Sequence, residues 1–212
     1  GSLNKAGAAI IYDMTQVEWV KGSTEIIIAH RAIKAEMKFI KDQSRVEVIA
    51  AYMPVDGTGE KETEEAWDAL IGAVGPKTVI LTDANADWET KKRVGDQHLS
   101  RLLNAGMRDC NGRQVTHGTE SKIDYILAGS EVWERLRGAG CRTGWASHGA
   151  RNVSGGVSGT HNIVCADIGL TIEGWGEDRM MKLPLYRLTN KDWWDLGAQI
   201  ELRVEGMVKQ EE

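Results

Sequence analysis

Two short polar runs interrupt the hydrophobic segments of this chain and carry the side chains best suited to chemistry. Asp83 and Asn85 end an apolar run, and Asp124 stands within the apolar segment 121–127. Alternate residues of a strand project to the same side, so Asp83 and Asn85 are expected to share a face. A carboxylate and an amide in that arrangement can orient a water molecule and a metal-bound phosphate.

The same residues have a simpler interpretation. Asp and Asn are common where a strand meets a turn, because they tolerate turn conformations and bond to the local backbone. Short motifs also match by chance. Taken alone, the run around Asp83 therefore leaves both a phosphate site and an ordinary turn open.

Composition limits the classes of protein to consider. A chain of 212 residues with 42% hydrophobic content fits one domain with a sizeable core. Its three cysteines, Cys110, Cys141 and Cys165, have no C-x-x-C spacing, which argues against a disulfide framework or a zinc site and favours an intracellular setting. No apolar stretch approaches the roughly 20 residues of a membrane span, and no signal-peptide pattern is present. The net charge of −5 argues against a broad, sequence-independent grip on DNA or RNA.

Hydrophobic periodicity predicts the elements that must position these residues. Strands are predicted over residues 8–12, 25–30, 35–40, 46–52, 79–82, 123–127 and 162–170. Helices are predicted over residues 60–73, 96–104, 131–137 and 191–209. Hairpin-like strand pairs mixed with single helices indicate an α/β class protein, specifically a two-sheet α/β sandwich with largely antiparallel sheets.

The predicted helices have distinct inward faces. The helix over 60–73 should bury the apolar residues that recur at helical spacing, namely Trp67, Leu70, Ile71 and Val74. The helix over 96–104 should bury Leu99, Leu102 and Leu103 and end before Gly106. Residues 144–160 are rich in Gly, Ser and Asn and are predicted to form a loop that leads to His161. A composition change near residue 170 predicts a domain over 1–170 followed by a mostly helical C-terminal extension over 171–212.

An ordered series of motifs resembles the endonuclease/exonuclease/phosphatase superfamily, and within it the endonuclease domains of LINE-type (non-LTR) retrotransposons. Residues 5–11 (KAGAAII) resemble the family's KAGVAIL strand, and Tyr52 with Pro54 resembles its Y-x-P. Residues 82–86 (TDANA) resemble GDFNA. Thr116 followed by 121–127 (SKIDYIL) resembles T…SRIDYI, and 159–164 (GTHNIV) resembles the closing SDHxxV. Residues 183–200 also look like the Trp-containing stretch that follows the endonuclease in such retroelements.

The resemblance implies a Mg²⁺- or Mn²⁺-dependent endonuclease that hydrolyses DNA phosphodiester bonds, in the nucleus if it is retrotransposon-derived. By motif, Asp83 would be the general base that takes a proton from water, and Asn85 would orient that water or the phosphate. His161 would donate a hydrogen bond or a proton to a phosphate oxygen, with Asp124 holding its imidazole in the correct tautomer. Tyr52 would lie against the same phosphate. Without the resemblance, Tyr52 reads as a core aromatic and His161 as a turn residue.

Two departures bear on activity. The family has an Asn on its opening strand and a metal-binding Glu on the next, both before the KAGVAIL-like strand, and neither has a counterpart here, so the metal ligands are unknown and the N-terminal strands are expected to be missing. Thr160 stands where the family has an Asp before the closing histidine. Another chain or a larger assembly is therefore an expected partner that completes the sheet.

The sequence leaves two further functions open. A catalytically dead descendant that acts as a structural or binding subunit is the main alternative to the nuclease. A small-molecule phosphodiesterase or phosphatase is the third possibility.

Overall fold

The computed structural model describes residues 8–89, 93–117, 121–142 and 163–168. All of them belong to the first of the two units into which the chain divides, Gly1–Ile172, and the second, Glu173–Glu212, lies outside the described residues. The predicted loop over 144–160 and the predicted helix over 191–209 also lie outside them. The proposed division at residue 170 stays a prediction.

A mixed sheet of seven strands forms the centre of the described part. Its strands are β1 (Val17–Trp19), β2 (Glu25–Ile28), β3 (Ala32–Phe39), β4 (Arg45–Tyr52), β5 (Thr78–Asp83), β6 (Arg108–Asp109) and β7 (Asp124–Ala128). They are ordered β1-β3-β4-β5-β7-β6, and β2 also pairs with β3. Every pair is antiparallel except β4 with β5. The predicted α/β class with largely antiparallel strands is confirmed.

A second sheet and three helices complete the described elements. The strands β8 (Leu136–Arg142) and β9 (Ile163–Ile168) form a two-stranded antiparallel sheet. The helices are α1 (Glu60–Gly72), α2 (Gly95–Asn104) and α3 (Ser130–Trp133). Helix α1 connects the parallel strands β4 and β5, because parallel neighbours need a long crossover that two-residue hairpin turns cannot supply. None of the helices in the described ranges is long and apolar enough to cross a membrane.

The central sheet buries a different cluster on each face. On one face α1 and α2 pack against the strands, and the large apolar side chains there are fully buried: Ile49, Met53, Trp67, Leu70, Ile80, Leu99, Leu102 and Leu127. On the opposite face Met37, Val79 and Ile126 pack with Val164 and Ala166 of β9. Leu81 lies on this second face and is 42% exposed, so the apolar cover there is incomplete.

Most predicted elements are present with shifted ends. The predicted inward residues Trp67, Leu70, Leu99 and Leu102 are buried. The second helix ends as predicted before Gly106, whose φ of +101° suits glycine because it has no side chain to clash in that conformation. Its N–H donates to the carbonyl of Leu103 (3.1 Å).

The strand predicted over residues 8–12 is wrong. These residues pair with no strand in the described part of the chain, and only Ile10 packs against the core. Ile11 is 74% exposed. An apolar run becomes a strand only when a neighbouring strand satisfies its backbone hydrogen bonds, which local pattern does not reveal.

The helix predicted over residues 131–137 is wrong in its second half. Helix α3 ends at Trp133, and β8 begins at Leu136. Gly138 and Gly140 follow, and glycine disfavours a helix by about 1 kcal/mol relative to alanine. Pairing with β9 supplies the tertiary partner that makes this segment a strand. Strands β1 and β6 were not predicted, because three and two residues are too few to show alternation.

Burial of α2 on the sheet leads to a stability prediction. Leu99→Ala should lower the free energy of unfolding by about 2–5 kcal/mol, because a fully buried leucine leaves a cavity. Leu81→Ala, the matched change on the half-exposed leucine, should cost about 1 kcal/mol. Urea denaturation of both variants measures the difference, and equal losses would contradict the assigned core.

A buried histidine joins the two helices. His98 is 5% exposed, and its ring stacks on Trp67 with centroids 6.1 Å apart. Its Nδ1 lies 3.2 Å from Arg101 Nη1. Burial, followed by the charge of Arg101, lowers the pKa of His98 from its ordinary value of 6.5.

This lowered pKa predicts a pH-dependent stability. The unfolded chain takes up a proton at His98 near its ordinary value of 6.5, whereas the folded chain resists it. The free energy of unfolding should therefore stay constant above about pH 6.5. It should fall as the pH drops from there through the lower pKa that His98 has in the folded chain. Urea denaturation between about pH 5 and 7.5 should show a smaller fall for His98→Gln than for the parent. Identical pH profiles would disprove it.

Candidate functional site

Three of the predicted site residues form one row across the sheet. Tyr52 of β4 pairs with Asp83 of β5, and Asp83 pairs with Asp124 of β7. Residues paired across neighbouring strands project to the same face, so the phenol and both carboxylates point the same way. All three residues are half-buried.

The row lies on the face of the sheet opposite to the helices. The helix face takes the next residue of each strand, namely Ala51, Thr82 and Tyr125, which are paired in the same way. The row therefore shares its face with Leu81, two residues away on β5. This end of the face therefore carries a half-buried polar row next to a partly exposed leucine.

The two carboxylates are close neighbours. Ala84 N–H donates to the carbonyl of Ile123 (2.7 Å), a bond that flanks the Asp83–Asp124 pair. The pair is therefore of the antiparallel type that exchanges no backbone bonds, in which Cα atoms are about 4.5 Å apart. Like charges in directly opposite positions disfavour the pairing, so a positive group between them would stabilise it.

Asn85 reaches the row through a turn rather than along the strand. Strand β5 ends at Asp83, so the predicted strand alternation of Asp83 and Asn85 does not apply. Asn85 has a φ of +47°, in the left-handed region that few non-glycine residues adopt. Its N–H donates to Asp83 Oδ1 (3.1 Å), and its Nδ2 donates to the carbonyl of Met53 (3.0 Å). These bonds tie the amide to both β4 and β5.

Tyr52 carries a cationic neighbour. Its N–H donates to the carbonyl of Arg31 (2.8 Å), and the Arg31 guanidinium carbon lies 6.0 Å from the centre of its ring. Arg31 Nη2 also lies 3.4 Å from Glu62 Oε1 of α1. The ring of Tyr52 thus lies near the positive charge of Arg31, which also pairs with Glu62 on α1.

Side chains hold the backbone of Asp124. Its N–H and that of Ile123 both donate to the hydroxyl of Thr116, at 2.9 and 3.0 Å. Its carbonyl accepts from Asn111 Nδ2 (3.2 Å), and Asn111 Oδ1 accepts from Ile126 N–H (3.0 Å). Thr116 and Asn111 are both buried. Asn111 was not singled out from sequence, and its one local signal is the Asn-Gly pair that is typical of turns.

A buried ion pair supports the same loop. The ammonium of Lys122 contacts the carboxylate of Asp109 and the carbonyl of Gly112. It also lies 4.5 Å from the centre of the Tyr125 ring, whose hydroxyl donates to the carbonyl of Lys122 (3.1 Å). Lys122 lies within the SKIDYIL motif, which by itself predicts no role for it. The tertiary structure makes it a cross-link between β6, β7 and the loop between them.

The remaining predicted site residues are not described. His161 and Thr160 lie outside the described residues, so the predicted contact between Asp124 and an imidazole stays a prediction.

Cys110, beside Asn111, has its pKa raised to about 11 by burial and by the charge of Asp109. At neutral pH this thiol is protonated and is a poor nucleophile.

The donor chemistry of the row suits a hard cation. Carboxylate oxygens from Asp83 and Asp124 and an amide oxygen from Asn85 are ligands of the kind that Mg²⁺ takes, usually together with waters or substrate phosphate. Among the described residues no group of three or more His, Cys, Asp or Glu side chains is arranged to hold a metal ion. The described side chains thus match a hard cation in donor type alone.

Comparison with solved structures identifies the fold. The chain is similar to the endonuclease domain of TRAS1, a telomere-specific non-LTR retrotransposon, with 17% identity, a TM-score of 0.53, and coverage of 76% of this chain and 73% of that one. A 3′-5′ exonuclease from Neisseria meningitidis matches at 19% identity and a TM-score of 0.48, covering 73% and 71%. An AP endonuclease from Archaeoglobus fulgidus matches at 16% and 0.47, covering 66% of each chain. No family model and no curated protein sequence matches the chain.

The similarity to TRAS1 defines the class of fold. The described residues have the α/β sandwich fold of the endonuclease/exonuclease/phosphatase proteins, as the motif series predicted. At 17% identity this similarity speaks to the fold alone.

The turn after β5 yields a stability prediction. Asn85→Ala should lower the free energy of unfolding by about 1–2 kcal/mol more than Asn85→Gly, since only glycine adopts the left-handed conformation without a steric penalty. Both variants lose the bond to the Met53 carbonyl, so their difference isolates the backbone term. Urea denaturation measures it, and an alanine variant as stable as the glycine variant would contradict the assigned conformation.

Proposed function

We propose that this chain is a nuclease domain that hydrolyses DNA phosphodiester bonds with the help of a divalent cation. The observation that carries the proposal is the row of Tyr52, Asp83 and Asp124, aligned by strand register on one face of the sheet. Supporting it is the fold similarity to an endonuclease domain. The net charge of −5 implies that any contact with DNA is local to this end of the sheet.

In the proposed reaction water attacks the phosphorus atom. Asp83 accepts the proton that the water loses, a new P–O bond forms, and the bond between phosphorus and the leaving ester oxygen breaks. Asn85 is suited to orient the water or the phosphate because it is anchored to Asp83 and to the Met53 carbonyl. Tyr52 is suited to donate a hydrogen bond from its hydroxyl group to a phosphate oxygen. The leaving oxygen takes its proton from solvent.

His161 and the cation complete the proposal. His161 would donate a hydrogen bond or a proton to the phosphate, oriented by Asp124. Asp83, Asp124 and Asn85 would hold the cation, which would offset the negative charge that builds up on the phosphate oxygens. Nuclear location and a partner chain that completes the sheet stay expectations of the family resemblance.

A plasmid-nicking assay tests the proposal. With Mg²⁺ or Mn²⁺ the full chain should convert supercoiled plasmid to nicked circles, and a chelator should abolish the reaction. Asp83→Ala and His161→Ala should each lower the rate at least about 100-fold, the usual scale for losing a general acid or base. Asp68→Ala is the matched control, because Asp68 is an exposed carboxylate on α1, across the sheet from the row, where it pairs with Arg101.

The possible failures have different meanings. Equal nicking by the parent and both variants would show that the assigned residues are wrong. No nicking by a folded parent would favour a structural or binding subunit. Hydrolysis of bis(p-nitrophenyl) phosphate without nicking would favour a small-molecule phosphodiesterase.

A further inference from the structure

We propose that Asn111 is a positioning residue for Asp124 and acts as a side-chain substitute for a missing length of strand. The expected effect on kinetics rests on the proposed nuclease function. The placement of Asp124 by Asn111 rests on the geometry alone.

Strand β6 stops before it reaches the row. Its two residues pair with β7 at Ala128 and Leu127, and the N–H of Cys110 then donates to the carbonyl of Ile126 (2.9 Å). Beyond this point the main chain turns away, and the side chain of Asn111 continues the ladder. Its amide oxygen accepts from Ile126 N–H (3.0 Å), and its amide nitrogen donates to the Asp124 carbonyl (3.2 Å).

Strand β5, the other neighbour of β7, makes no backbone hydrogen bonds to Asp124. Because Asp83 and Asp124 form a pair without mutual backbone bonds, the N–H and carbonyl of Asp124 point away from β5. The N–H ends on Thr116 Oγ1 and the carbonyl ends on Asn111 Nδ2. Two side chains, and not a strand, therefore fix the backbone that carries the Asp124 carboxylate.

Burial and a cross-link make Asn111 a rigid support. The residue is 3% exposed, and its own N–H donates to Asp109 Oδ1 (3.1 Å). Lys122 binds the Asp109 carboxylate on one side of Asn111 and the Gly112 carbonyl on the other. Gly112 has a φ of +56°, which lets the chain leave the strand direction directly after Asn111. Lys122 thus fixes the backbone on both sides of Asn111, at Asp109 and at Gly112.

The placement of Asp124 matters because catalytic groups tolerate little displacement. A shift of about 1 Å can reduce a rate about 100-fold. Asn111→Asp keeps an oxygen for Ile126 N–H but replaces the donor to Asp124 with an acceptor, so two oxygens would face each other. Asn111→Ser is neutral and too short to bridge both partners. Asn111→Asp should therefore repel the Asp124 carbonyl, and Asn111→Ser should leave it without this hydrogen bond, so each variant should displace the Asp124 backbone.

Kinetics provide the first test. In the plasmid assay, Asn111→Asp and Asn111→Ser should lower kcat about 10- to 100-fold with little change in KM. The control Asn104→Asp, the same change at the exposed end of α2, should retain the parent rate. In an Asp124→Ala background, Asn111→Asp should cost almost nothing more. A loss of equal size in both backgrounds, or a change confined to KM, would overturn the positioning role.

A second test does not require activity. The ¹³C resonance of the Asp124 carboxyl carbon should move in Asn111→Ser and not in Asn104→Ser, measured in the full chain. An unmoved resonance in a folded Asn111→Ser variant would overturn the inference. If the parent does not nick DNA but the resonance moves, the nuclease proposal fails while the structural role of Asn111 stands. If Asn111→Ser does not fold, the resonance of the isosteric Asn111→Asp, compared with Asn104→Asp, decides the question.

Discussion

Side chains on a strand alternate between the two faces of a sheet, and the candidate site depends on how this alternation is aligned across β4, β5 and β7. The fully buried row of Ile49, Ile80 and Leu127 lies under the helices. The polar row of Tyr52, Asp83 and Asp124 is offset from it by three residues on every strand. An odd offset puts the polar row on the other face, so the register that buries the core also aligns the site. A slip of one residue on any of these strands would move its buried residue to the polar face and its polar residue to the helix face.

Where the strands end, side chains take over the hydrogen bonds that a ladder would make. Asn85 bonds to the carbonyl of Met53 just beyond β4, and Asn111 and Thr116 bond to the backbone of Asp124. Buried backbone groups need partners, and short polar side chains can supply them without a further strand. The backbone that carries the half-buried side chains of the row is thus fixed by side-chain hydrogen bonds.

Charge is arranged differently on the two sides of β7. Lys122 and Asp109 form a buried pair whose members compensate each other, with side chains that are 7% and 13% exposed. Burying either charge alone would be costly, so this pair behaves as a structural cross-link. Asp83 and Asp124 instead place two carboxyl groups in directly opposite positions on the half-buried face.

Local sequence was sufficient for the elements whose pattern is long and regular. The helical spacing of Trp67 and Leu70 and the apolar runs of β4, β5 and β7 predicted those elements, because their side-chain period reports which face is buried. The motif series around Asp83 and Asp124 also predicted the fold, since it preserved order along the chain. Local pattern failed at residues 8–12 and 136–137, where the presence or absence of a strand partner decides the conformation.

The tertiary structure alone decided the rest. That Tyr52, Asp83 and Asp124 share a row depends on pairing between segments that are 31 and 41 residues apart in the sequence. The same is true of Asn111, whose importance comes from the strand it touches and not from its neighbours along the chain. Residue types set which bonds are possible, whereas strand register sets which of them form, because hydrogen bonds and packing act between residues that only folding brings together.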